Sequence, residues 1–262
     1  MRVTSFFLTL AGALLASQVH AAPTNLVTNG NFETTTGLGQ IDSIVTVTGW
    51  TNVNPNNFNF ILNTTADDAI SGFGGGFTSV NSAGVGTNIF VWGPGNGASN
   101  GFTGSSNGGN FLGGDGGYAT GAVTQTINGL TVGKEYILSF EWAAAQFTDQ
   151  NGGFYAGWDV SFGGSTQSVT TGATLGTVAG QGFKPWENAT MTFTASSTSQ
   201  VLSFLATGPT GLPPFSLLDS VSLTEKTTVS TVPEPTSIAM MLAGGALLGG
   251  AARRRQRAAK QA

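Results

Sequence analysis

The sequence predicts an all-β protein, an antiparallel β-sandwich whose two ends are chemically unlike its body. Three observations carry this expectation. Apolar and polar residues alternate with period two in several short runs, glycine, asparagine and serine separate those runs, and no segment of the body repeats apolar residues at the helical period. Alternation turns one side of an extended segment toward a core and the other toward water. Short strands of that kind joined by turn residues pack as two antiparallel sheets.

The N-terminal end comes first. Arg2 precedes an apolar run from Phe6 to Ala16, then Ser17-Gln18, then Val19-His20-Ala21. The run is too short to span a bilayer, and compact residues stand at the −3 and −1 positions of a cleavage site. Residues 1–21 therefore read as a signal peptide, cut by signal peptidase after Ala21 or after Ala22. The chain has no cysteine, and its one histidine, His20, lies in this segment. The mature protein then has neither disulfides nor imidazole, which removes Ser-His-Asp and Cys-His nucleophiles and histidine-ligated zinc or iron.

The body follows, residues 22–231. Tyr136 to Trp142 places its aromatics and Leu138 on one side and Ser139 and Glu141 on the other. Trp158 to Phe162, Thr190 to Thr194 and Ser220 to Thr224 alternate likewise, and shorter runs sit at Ile44 to Val47, Phe58 to Leu62, Ile89 to Trp92, Val123 to Ile127 and Val201 to Leu205. Trp142 and Trp158 fall on core-facing positions. Eighteen of the 40 glycines lie between Gly72 and Gly121, so about 71–121 reads as a glycine-rich loop region, part of which packs back as irregular strands around its phenylalanines. Between Pro23 and Val232 three lysines stand against twelve carboxylates, a balance of −9. Nucleic-acid binding needs clustered cations, so no nucleic-acid partner is expected.

The C-terminal end reads Val232-Pro233-Glu234-Pro235, an apolar run rich in glycine and alanine from Ile238 to Ala252, and Arg253-Arg254-Arg255-Gln256-Arg257. Two prolines around Glu234 stop any preceding strand and leave an extended backbone open to a processing enzyme. The run is near the lower limit for a transmembrane helix, and the arginines stay cytoplasmic under the positive-inside rule, with the body outside. A plain C-terminal anchor would share this hydropathy.

The order of these elements resembles the PEP-CTERM sorting signal of Gram-negative bacteria, over residues 232–257 with 258–262 as the tail end. The resemblance implies recognition by an exosortase, a membrane transpeptidase-like enzyme, with Val232, Pro233, Glu234 and Pro235 as the motif and Arg253, Arg254 and Arg255 as the stop. It further implies an inner-membrane anchor before processing, and the cell surface or an exopolysaccharide matrix as the destination. Glu234 is then a residue another enzyme reads.

Three body segments carry a second resemblance. Asn25 to Glu33 is similar to an "N-L-V-x-N-G-x-F-E" first strand, Gly129 to Phe140 to a "G-L-x-x-G-x-x-Y-x-L-S-F" loop and strand, and Leu218 to Leu223 to a closing "L-D-x-V-S-L" strand. In this order they resemble the galactose-binding-like jelly roll of carbohydrate-binding modules. The resemblance implies neighbouring first and last strands with a structural calcium beside them, held by Glu33 and Asp219 and by backbone carbonyls. Either carboxylate could instead bond a turn or face water. Gly113 to Gly117 and Asp149 to Gly152 are weak, single calcium-loop likenesses.

Sugar modules stack exposed aromatic rings on pyranose faces. Trp92 and Trp186 border expected loops and are the ligand candidates. Catalysis would need a carboxylate pair across a cleft, for which Asp67-Asp68 and Glu141 with Asp159 are the only options. The expectation is a non-enzymatic surface or matrix protein that adheres to polysaccharide. A matrix protein with no ligand and a secreted glycoside hydrolase are the alternatives.

Overall fold

A computed structural model describes residues 23–64, 77–80, 86–148, 153–172, 181–210, 214–227 and 235–258. The expected signal peptide, Val232, Pro233, Glu234, Asp67-Asp68 and the Asp149 to Gly152 loop lie outside them. The chain forms two compact units, one ending at Lys226 and the other starting at Thr227.

The first unit is a sandwich of two antiparallel sheets. One has six strands, β1 (Gly39–Gln40), β3 (Asn59–Asn63), β6 (Asn110–Asp115), β13 (Pro214–Glu225), β8 (Glu135–Gln146) and β11 (Phe183–Thr194), in that spatial order. The other has five, β10 (Ser165–Thr170), β9 (Gly157–Phe162), β12 (Ser199–Thr207), β7 (Val123–Asn128) and β2 (Thr51–Asn52). A separate ribbon pairs β4 (Phe77–Val80) with β5 (Gly86–Ile89). Among the described residues of this unit, the one helical piece is a 3₁₀ turn at Pro94–Asn96.

The alternating runs become strands because each buries one side between the sheets. Leu138, Phe140 and Trp142 of β8 meet Trp158, Val160 and Phe162 of β9 and Leu202 and Phe204 of β12 in one cluster. Trp142 and Trp158 are in the core as expected. Phe204 is its hub, with ring centroids 5.3 Å from Phe140, 6.0 Å from Trp158 and 6.1 Å from Trp50, all edge-on. A second cluster covers the other face of the six-stranded sheet, where Phe60, Phe111, Phe215 and Leu217 pack beneath Val91 and Phe102. All buried residues of the main cluster fall between Val27 and Leu223, so residues 23–226 carry a complete core.

Four expectations need correction. The glycine-rich region contains β6, which pairs with both β3 and β13 near the middle of its sheet. Glycine is required there by close approach: a Cβ on Gly114 would lie 2.8 Å from Trp158 and Ala206, and one on Gly113 2.6 Å from Leu62. Ile44 to Val47 forms only isolated bridges, at Val45 and Val47, and of Ile89 to Trp92 only Ile89 lies in a strand while Val91 bridges to Phe147. The opening segment forms no ladder and turns over residues 28–31, with Asn29 and Phe32 at φ 52° and 56°. It still lies beside the last strand, through Leu26 N–H to the Leu223 carbonyl and Val221 N–H to the Gly30 carbonyl, both 2.9 Å.

The second unit contains α1, Pro235–Ala258. Proline fits the first helical position, where its missing N–H costs nothing, and the arginines fall near the negative C-terminal end. Met241, Leu242, Leu247 and Leu248 are each more than 70% exposed, so the helix offers apolar surface with no cover among the described residues. Among the described residues no helix is long and apolar enough to cross a membrane. The apolar run spans only about 22 Å at 1.5 Å per residue, against a hydrocarbon core of about 30 Å, and four glycines dilute it. The expected transmembrane helix is thus present as a helix, without the length of a span.

Replacing Phe204 by alanine should cost about 3–5 kcal/mol of unfolding free energy, read by urea denaturation of residues 23–226. A loss below about 1 kcal/mol would contradict the packing assigned to that ring.

Candidate functional site

Asp219 and Glu141 meet directly across β13 and β8, as register partners on the face away from the main core. Both are buried, Asp219 completely. Two acids opposite one another repel, an arrangement a sheet does not adopt for stability. Local backbone geometry makes room: the ladder shifts register between Asp219 and Ser222, and Ser220 takes a left-handed conformation at φ 54°. In this bulge the Ser220 N–H donates to Asp219 Oδ1 at 2.6 Å and the Ser220 hydroxyl to Glu141 Oε2 at 3.2 Å. The Ser105 hydroxyl donates to Asp219 Oδ2.

Burial pushes the Asp219 carboxyl up to about 7, the nearby charges of Glu141 and Glu33 add to the rise, and the bonds from Ser105 and Ser220 oppose it. Glu33 thus lies within electrostatic reach, as the resemblance implied. Its side chain is exposed at the turn before β6, where Oε1 accepts the Asn110 N–H at 2.6 Å. The opening segment is pinned beside them, since a Cβ on Gly30 would run into the Val221 carbonyl.

These oxygens suit a hard cation in kind, being carboxylates and hydroxyls with no lysine or arginine bonded to them. Among the described residues, no group of three or more acidic, histidine or cysteine side chains is gathered tightly enough to hold a metal on its own. Any ion here would rest on Asp219 and Glu33 with carbonyl oxygens.

The other candidates fare differently. Trp186 stands on β11 beside its bulge, correcting the loop expectation. Its ring packs edge-on against Phe111 at 5.3 Å and its N–H bonds the Thr103 carbonyl at 2.9 Å. Trp92 does lie in a loop, half-buried, and its enclosed indole N–H has no acceptor among the described residues. Both rings are half-buried. Glu141 and Asp159 occupy different sheets, and Asp159 is bonded to the Ser168 hydroxyl at 2.6 Å, so they do not form the carboxylate pair considered for hydrolysis. Asp115, in the Gly113 to Gly117 likeness, is buried in β6, and its Oδ1 accepts the Gly117 and Tyr118 N–H groups at 2.7 and 2.8 Å. Burial pushes it up to about 6 against those two bonds. Of the tail motif, Pro235 starts α1, Arg253 and Arg254 are exposed, and Arg255 lies within the helix.

Sequence reasoning singled out Asp219 and Glu33 but not the pairing of Asp219 with Glu141 or the donor Ser105. The first needs knowledge of the register across 78 residues of chain, and the second comes from a glycine-rich stretch with no pattern of its own.

Residues 231–256 match the PEP-CTERM protein-sorting motif. A motif of this kind implies an exported protein processed by an exosortase. No curated protein matches the sequence. Three solved structures show what the body is similar to. TmCBM61 in complex with beta-1,4-galactotriose is 13% identical over 78% of this chain and 99% of that one, with a TM-score of 0.38. A cyclase from Fischerella sp. TAU is 16% identical over 78% and 98%, with a TM-score of 0.43. The N-terminal cellulose-binding domain of Cellulomonas fimi beta-1,4-glucanase C is 15% identical over 45% and 80%, with a TM-score of 0.27. No ligand or activity follows from likeness at this level.

The raised acids set a pH dependence. In the metal-free protein Asp219 stays protonated up to about pH 7, whereas an unfolded chain releases that proton near 3.9. Within this window the folded state binds more protons, so stability falls as pH rises. In chelator the melting temperature should be higher at about pH 5 than at about pH 8, and Asp219→Asn should leave only the part below about pH 6 that Asp115 supplies. A melting temperature that rises over this range would contradict the burial of these acids.

Proposed function

We propose that this protein is exported, processed at its C-terminus by an exosortase, and displayed at the cell surface or in the extracellular matrix as a non-enzymatic β-sandwich that adheres to polysaccharide. The observation that carries the reading is the sorting motif at residues 231–256, in a unit distinct from the sandwich. Among the described residues the main core draws on nothing beyond Leu223, which supports a body that stays folded after loss of the tail. Signal peptidase removes residues 1–21 at export. Until the exosortase acts, the apolar surface of α1 holds the precursor in the inner membrane, its apolar run shorter than the hydrocarbon core and its arginines at the cytoplasmic interface.

The adhesive part of the reading is supported by the three jelly-roll segments: the opening and closing segments lie side by side, as that resemblance requires. The acidic body has no cationic patch for anionic polymers, which directs the adhesion toward uncharged glycans. Calcium bound by Glu33 and Asp219 serves a structural role, offsetting the repulsion between Asp219 and its acidic neighbours and tying the first turn to the last strand.

Replacing Pro233, Glu234 and Pro235 by alanine should leave a larger precursor in the membrane fraction of the native host, seen by immunoblot. Normal processing of that variant would reject the sorting assignment. For the ion, calcium should raise the melting temperature of residues 23–226 above its value in chelator at about pH 8, and Glu33→Gln or Asp219→Asn should abolish the difference. An identical melting temperature with and without calcium removes the site.

A further inference from the structure

We propose that the outer face of the five-stranded sheet binds an uncharged polysaccharide chain along a rank of five hydroxyls, Thr51, Thr124, Ser203, Ser161 and Thr166. The proposal rests on the adhesive reading above and supplies its site. The rank is a product of register. Thr51 stands opposite Thr124, Thr124 opposite Ser203, Ser203 opposite Ser161, and Ser161 opposite Thr166, one residue from each strand of the sheet. At about 4.8 Å between strands the rank runs about 19 Å straight across the sheet. Its residues alternate with the buried Asn52, Val123, Leu202, Phe204, Val160 and Phe162, so it faces away from the core.

Three of the hydroxyls are unengaged: the side chains of Ser203, Ser161 and Thr166 make no hydrogen bond among the described residues, while the Thr124 hydroxyl makes long bonds of 3.4 Å to the hydroxyl and the carbonyl of Thr51. A hydroxyl both donates and accepts, which is what sugar hydroxyls require of a partner. Apolar side chains flank the rank on both sides: Val201, 50% exposed, on one, and Val53, 69% exposed, with Leu205 on the other. Sugar rings present hydroxyl edges and C–H faces in the same alternation.

A cleft of about 420 Å³ opens at the β2 and β7 end of the rank, lined by Thr28, Thr51, Thr124, Thr126 and Val201 around Gly49. Gly49 keeps it open, since its φ is +83° and a Cβ there would press against Thr28 and Gln125 at 3.0 to 3.3 Å. Among the described residues no ionisable group lines the cleft. On the strands of this face the single outward ionisable side chain is Asp159, held by Ser168. An ordinary solvated sheet face intersperses lysine, glutamate and arginine among its threonines, and their exclusion here leaves a surface matched in charge to a neutral ligand.

Residues 23–226 can be tested by affinity electrophoresis and depletion on amorphous cellulose, a β-1,3-glucan and a galactan, with alginate as the anionic comparison. The triple substitution Thr51→Val, Thr124→Val and Ser203→Ala should weaken binding to the retained neutral glycan by about tenfold or more, while Thr190→Val with Thr192→Val on β11 leaves it unchanged. Equal melting temperatures establish that all three proteins are folded. Undiminished binding by the triple variant overturns the rank and leaves the adhesive reading standing. Retention by none of the neutral glycans overturns both, and preference for alginate overturns the uncharged class.

Discussion

The sandwich depends on β13 lying between β6 and β8. It is the last strand in the sequence yet pairs on both sides, with β6 over Phe215 to Leu218 and with β8 over most of its length. It also ties the layers together. The Leu217 carbonyl accepts the Trp158 indole N–H at 3.1 Å, and the Ser216 hydroxyl donates to the Gly157 carbonyl at 2.7 Å, so the five-stranded sheet is bonded to it through β9. The opening segment is fixed by the same strand, and by Gln125 of β7, whose amide bonds both the N–H and the carbonyl of Thr28. A chain built this way completes its core only when its final strand is in place. Everything after Lys226 is then free to serve sorting alone.

That constraint also explains the acid pair. Plain alternation with Phe215 and Leu217 puts Asp219 on the outer face beside Glu141, where burial and like charge raise its affinity for a proton, and the bulge at Ser220 and Val221 then returns Val221 and Leu223 to the core. A proton on Asp219 removes that repulsion. Stability of the body is therefore linked to the proton on Asp219.

β9 and β12, and the stretches of β8 and β13 from Tyr136 to Trp142 and from Val221 to Thr224, were legible because apolar residues there are buried on one side only, which writes period two into the sequence, whereas the rest of β8 and β13 buries apolar residues on both faces. β6 was not, since Gly113 and Gly114 let Trp158, Ala206 and Leu62 approach by having no side chain, and what marks the strand is an absence of atoms. β10 was missed for the opposite reason: its Ser, Thr and Gln side chains lie largely toward water at the sheet edge, so no apolar alternation was needed. The tail was legible in full as a motif because proline, glycine and arginine act locally. Pairings such as Asp219 with Glu141, and the rank from Thr51 to Thr166, exist only through inter-strand register, which no local pattern encodes.

The central claim is that the molecule which functions is the sandwich without its ends. The direct measurement is the intact mass and cell-fraction location of the protein from its native host. A species that begins near Ala22, ends near Pro233 and is found on the surface or in the matrix is the predicted result. A species that retains Arg253 to Ala262 in the inner membrane would contradict the account, making this an anchored periplasmic protein.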